Sequence, residues 1–231
     1  YYSMISSIYK KSFSVLASKP LRLWGISLLS IFLSMAAYIL FGVIPGAAIA
    51  IGLLLETSMT LIYLNGFLGQ EVKTLQLFDC FRSWRTIGRV LGGMAWMLMW
   101  VLLWSLIPVV GIVFGVIKFY SYRLTPYILM KEPDVKATEA YKLSEQRTKG
   151  YKGKMFWADV LPVLAYIAAV LILSAFSAIP YLGWLFALVL AVLVVAFAVF
   201  LPLFLGLVQS AFYVEIQKSL DPPAAGIGWY E

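Results

Sequence analysis

The chain has 231 residues, 62% hydrophobic and 13% charged, with a mean hydropathy of +0.90 and a net charge of +7. A soluble domain is roughly half apolar and about a quarter charged, so a soluble globular class is excluded, and apolar runs without alternation exclude barrel strands. With no histidine and a single cysteine, Cys80, histidine-ligated metal sites, histidine acid–base catalysis and an intrachain disulfide are excluded as well.

What remains is an all-α, polytopic membrane protein, read as a single membrane domain over 1–231. The apolar runs predict six transmembrane helices in three hairpins, with basic amphipathic helices at the interface. Residues 1–20 mix Ile5, Ile8, Phe13, Val15 and Leu16 with serines, Lys10, Lys11 and Lys19, the pattern of an interfacial helix ending near Pro20. Spans are predicted at 23–42, 46–68, 88–107, 109–130, 155–179 and 182–214. The first pair turns at Pro45-Gly46, and Pro108 and Pro180 break the other two. The last span exceeds what a bilayer needs, so it is expected to tilt or to kink at Pro202. The second and third turns share the spacing IPxxG, which raises a threefold repeat against the plainer reading that Pro and Gly favour turns.

Between the spans lie 69–87, polar and basic with Phe78, Phe81 and Trp84 at helical spacing, and the charged segment 131–154. In the latter, Pro133 and Asp134 suit a first helical turn. Val135, Ala140, Tyr141 and Leu143 make an apolar stripe, Arg147 and Lys149 meet the negative end, and Gly150 supplies a cap.

Of the 18 Lys and Arg, all but Lys118 and Arg123 fall in the N-terminal segment, in 69–87 and its border, in 131–154, or after the last span; the intervening turns carry none. The positive-inside rule then puts both termini and both long loops in the cytoplasm, and the protein in the cytoplasmic (inner) membrane.

Ionisable groups inside spans mark functional sites by default. Glu56 lies about 16 Å beyond Pro45 along a helix, near mid-bilayer, and Lys118 stands at a similar depth past Pro108. The two invite a Glu56–Lys118 pair, serving as a structural clamp or in transport; burial could instead hold Glu56 protonated. Arg123, nearer the boundary, suits snorkelling among the interfacial Tyr120, Tyr122 and Tyr127. Asn65 and Gln209 suit hydrogen bonds between helices, and Trp96, Trp100 and Trp104 form one packing or lipid-facing ridge. Arg147, Lys149, Lys152 and Lys154 are expected to bind anionic headgroups, at about 1 kcal/mol each. Glu132, Asp134, Glu139 and Glu145 among them argue against nucleic acid. No Walker loop, zinc motif or GxSxG is present, so neither a catalytic residue nor a cofactor is indicated. Cys80 beside Asp79 reads as an inert thiol, with palmitoylation or reactivity as alternatives.

One tract carries a resemblance. Trp104, Ile107-Pro108, Tyr120-Ser121-Tyr122, Thr125-Pro126-Tyr127-Ile128-Leu129, Pro133, Ala137, Glu139-Ala140, Ser144, Lys149-Gly150, Lys152 or Lys154, and Phe156 follow a pattern that resembles an uncharacterised bacterial family of six-span membrane proteins. Val109-Val110 departs from the Gly that often follows Pro in that family. A looser similarity runs to the membrane domain of some glycerophosphodiester phosphodiesterases. The resemblance implies the six-span fold and brings no catalytic residue. The resulting expectation is a non-enzymatic module that binds lipid or partner membrane proteins, itself included. The alternatives are a small transporter or channel using Glu56 and Lys118, and a lipid-modifying enzyme with a polar cleft near Arg123.

Overall fold

A computed structural model describes residues 2–18, 20–108, 110–177, 179 and 181–220. Lys19, Val109 and Pro180, which figure in the sequence expectations, lie outside the described residues. All regular structure among the described residues is helical. The helices are α1 (Tyr2–Ser18), α2 (Pro20–Phe41), α3 (Pro45–Phe67), α4 (Trp84–Ser105), α5 (Gly111–Ser121), α6 (Thr125–Lys131), α7 (Ala140–Arg147), α8 (Lys152–Ser177) and α9 (Gly183–Leu220), with a 3-10 turn at Thr74–Phe81. Five of them, α2, α3, α4, α8 and α9, are long and apolar enough to cross a membrane.

The fourth predicted span is not one helix. It divides into α5 and α6 around Tyr122–Leu124. Pro126 explains the division: it has no N–H to give the carbonyl of Tyr122, four residues back. That carbonyl accepts instead from the Thr125 amide at 3.0 Å and the Thr125 hydroxyl at 2.6 Å. The break frees the Leu124 amide and the Ser121 carbonyl, and α7 satisfies both. Ser144 Oγ accepts from Leu124 N at 3.1 Å and donates to Ser121 O at 2.9 Å; Thr148 Oγ1 donates to Ser121 O at 3.0 Å. Gln209 of α9 donates to the Arg123 carbonyl at 3.0 Å, the bridge between helices expected of it.

The charged segment also departs from expectation. Residues around Pro133 form turns, and the helix starts only at Ala140. Its buried side chains are Ala140, Tyr141 and Ser144; of the expected stripe, Val135 lies before the helix and Leu143 is only half-buried. The cap expected of Gly150 falls to Thr148, and Gly150 follows at φ 81.

The IPxxG turns share a physical cause. The amide of Gly111 donates to Ile107 O and that of Gly183 to Ile179 O, each at 2.8 Å. A Cβ on Gly111 would stand 2.3 Å from Ser105 O, and one on Gly183 2.1 Å from Ser177 O. In both turns the chain folds back against the last carbonyl of the preceding helix, where only glycine fits.

The most extensive helix contacts join α8 with α9, α2 with α3, and α4 with α5. The core occupies one end of the molecule. It draws on Leu54–Phe67 of α3, Tyr127–Leu129 of α6, Leu203–Ile216 of α9, and Ile5, Ile8 and Leu16 of α1, which sit on one face of that helix as expected of an amphipathic segment. Tyr9 fastens α1 down, its hydroxyl donating to Ala158 O at 2.5 Å. At the other end, apolar side chains stand exposed: Phe32 to Leu40 on α2, Leu164 to Phe176 on α8, Trp184 to Val195 on α9. Patches of this extent are stable only against lipid or another apolar partner. The 38 residues of α9 measure about 57 Å, against a hydrocarbon core of about 30 Å, so its last third belongs to the packed end.

Candidate functional site

A cleft of about 640 Å³ opens between α2, α3 and α9. Its polar wall follows from helical spacing. Ser27, Ser30 and Ser34 share one face of α2, and Glu56, Thr60 and Tyr63 one face of α3. Gln209 completes it from α9, while Ile31, Met35, Leu53 and Leu205 supply the apolar wall. Tyr63 Oη and Ser27 Oγ lie 3.3 Å apart, closing the packed end. Gly206 makes that position possible, because a Cβ there would stand 2.2 Å from the Tyr63 ring. Glu56 is exposed onto the cleft and forms neither ion pair nor hydrogen bond with another described residue.

The expected Glu56–Lys118 pair does not form. Lys118 Nζ binds Glu145 Oε1 at 2.6 Å, with Lys152 at 3.9 Å from the same oxygen, and lies 4.7 Å over the Trp104 ring. Similar distance from a proline fixes position along a helix, not its neighbour: α5 packs on α4, α7 and α8. Arg123 binds the Asp159 carboxylate of α8, which also accepts from Tyr120 Oη at 3.0 Å. Asp159 escaped the sequence reading, although an acid inside an otherwise uncharged predicted span is the same signal that singled out Glu56.

The four residues expected to meet headgroups differ among themselves. Arg147 is engaged in a two-pronged pair with Glu132, one prong at 2.9 Å. Lys152 leans toward Glu145, Lys154 lies 5.0 Å over the Tyr151 ring, and Lys149 is exposed. The tryptophan ridge is mainly packing: Trp100 stacks on Tyr141 at 6.0 Å, and Trp104 packs on Phe114 and Lys118. Cys80 is fully buried, its amide donating to Ser58 Oγ at 3.4 Å, and burial pushes its thiol up from the ordinary value. Burial, with Asp159 nearby, pushes the Tyr9 phenol up to about 12.

Among the described residues no three His, Cys, Asp or Glu are placed to hold a metal ion. Chemically, the cleft offers one carboxyl and several hydroxyls facing an apolar wall. Such a lining has the chemistry to accept hydrogen-bond donors or a positive charge on one side and an aliphatic chain on the other. Compared with known proteins, the chain matches no family model, no curated protein and no solved structure.

Proposed function

We propose that the protein is a non-enzymatic module of the cytoplasmic membrane that binds a lipid in the cleft between α2, α3 and α9. Glu56 accepts from donors on the headgroup, and Ile31, Met35, Leu53 and Leu205 line the chain. The observation that carries this reading is the two-sided lining of a cleft whose one carboxylate makes no hydrogen bond or ion pair among the described residues. The distribution of Lys and Arg supports cytoplasmic termini and cytoplasmic placement of 69–87 and 131–154. Lys149 then faces anionic headgroups from that side. The likeness of the 104–156 tract to the six-span family supports a structural or binding role without chemistry.

The test is lipid retention. The protein is extracted into nanodiscs with its native lipids, and bound species are counted by native mass spectrometry. Gly52 lines the cleft, and a Cβ there meets nothing within 4 Å, so Gly52→Leu directs a bulky side chain into open space. Gly52→Leu and Glu56→Gln are expected to lose the retained species while remaining folded. Equal retention in both variants refutes the lipid reading. Proton or solute flux in proteoliposomes, abolished by Glu56→Gln, would establish transport in its place.

A further inference from the structure

The pair α4–α5 is shallower than α8–α9, and contacts between them measure by how much. The Gln209 side-chain amide donates to the Arg123 carbonyl, which sets those two backbones level to within a side chain's length. From Gln209 back to Gly183, the start of α9, is about 39 Å, whereas from Arg123 back to Gly111, the start of α5, is about 18 Å. A second gauge agrees: Tyr120 packs edge-on against Phe156 at 5.8 Å. Phe156 stands about 32 Å from the end of α8, and Tyr120 about 14 Å from the start of α5. The α4–α5 turn therefore stops roughly 20 Å short of the α8–α9 turn. Gauged through the long side chains of Arg123 and Asp159, the shortfall is still about 9 Å.

The polar helix α7 gives an independent measure. Its Tyr141 stacks on Trp100, only about 8 Å from the end of α4, and its Glu145 holds Lys118 beside Trp104. Were the end of α4 at the far interface, the exposed Glu139, Lys142 and Gln146 would lie within hydrocarbon close to that interface. Charges within hydrocarbon are disfavoured, by about 2.5–3.5 kcal/mol each at mid-bilayer and less toward the interface. At the same time the tip needs lipid: Leu102, Leu106, Ile112 and Val113 are exposed, Ile112 to 79%.

We infer that α4 and α5 form a half-depth hairpin that dips its apolar tip among the acyl chains of one leaflet, on the side that carries α7, and does not cross. The membrane is then crossed by α2, α3, α8 and α9. Lys118, Glu145, Arg123 and Asp159 become a charged layer at the hydrocarbon boundary, not mid-bilayer ionisable groups. The occupant of the tip is lipid, because α3, α6, α7 and α8 already pack along the α4–α5 sides and the exposed large side chains at the tip are apolar. The inference does not depend on what the cleft binds.

The experiment places single cysteines at Val110, in the α4–α5 turn, and at Tyr181, in the α8–α9 turn and 96% exposed. The native Cys80 is buried and stays in place as the unreactive reference. A membrane-impermeant maleimide is applied to intact cells and to inverted vesicles. Tyr181→Cys is expected to react from one side only, and Val110→Cys from neither. Spin-labelled Val110→Cys and Ile112→Cys in nanodiscs are expected to collide with oxygen far more than with a water-soluble nickel complex. Ile112→Cys also serves if the turn variant fails to fold. Labelling of Val110→Cys from the same side as Tyr181→Cys would show that the pair crosses and overturn the inference. Labelling from the opposite side, with water-like collision rates, would show that the tip never enters lipid and overturn it equally.

Discussion

Ser144 satisfies the backbone groups that the α5–α6 break frees, and its removal has a calculable effect. The side chain is fully buried and makes two hydrogen bonds, from Leu124 N at 3.1 Å and to Ser121 O at 2.9 Å. In Ser144→Ala the Ser121 carbonyl keeps Thr148 Oγ1 at 3.0 Å. The Leu124 amide, in a residue with no exposed surface, is left without a partner. An orphaned buried donor costs about 1–3 kcal/mol. For a chain of this length each kcal/mol moves the midpoint by about 2–4 °C, so a loss near 2 kcal/mol lowers it by roughly 4–8 °C. Thr148→Val costs less, about 1 kcal/mol, because Ser144 still holds the same carbonyl. The double variant leaves Ser121 O bare and is expected to lose more than the two single losses together, by at least about 0.5 kcal/mol. Cys80 supplies the readout, since a fluorogenic maleimide reports its exposure during heating in detergent. A Ser144→Ala midpoint within 1 °C of wild type, or strict additivity in the double variant, would refute this account of the break.

Further outcomes follow from the other contacts. Arg123 and Asp159 are each less than 15% exposed at the side chain; Arg123→Ala or Asp159→Ala alone is expected to cost about 3 kcal/mol, and the double variant no more than either, as read from detergent unfolding. Gly206→Val drives a side chain into the Tyr63 ring and is expected to cost about 1–3 kcal/mol while reducing lipid retention in the cleft, checked by the same mass spectrometry. The Cys80 thiol is raised by burial, so the folded state holds its proton longer than the unfolded chain. Its stabilising effect is complete below the unfolded value of about 8.5 and declines as pH rises from there toward the folded value. Cys80→Ala is therefore expected to flatten the alkaline loss of stability, measured by intrinsic tryptophan fluorescence unfolding between about pH 8 and 10. Maleimide labelling of native Cys80 at neutral pH is expected to be slow and to complete on denaturation.

The sequence by itself determined the class. Composition and unbroken apolar runs require helices that satisfy their own backbone in lipid, and five helices of that kind are present. The turn expected at Pro45-Gly46 instead spans 42–44, with Pro45 already inside α3, and the cap of α7 is Thr148, not Gly150. The local punctuation that the sequence did determine is IPxxG closing two turns and the buried stripe of α1. These are legible because they depend on residues within one turn of each other. Asp159 carried a readable signal, an acid in an apolar run, and so did Gln209. Only the tertiary structure decided which charges meet. Glu56 and Lys118 stand at similar distances from a proline, yet Lys118 goes to Glu145 and Glu56 opens onto a cleft, because the offset between one helix pair and the next is set by side-chain contacts such as Tyr120–Phe156 and Gln209–Arg123. Depth within each pair follows from residue number; the displacement of one pair against another is a property of packing, and hydropathy along the chain carries no trace of it.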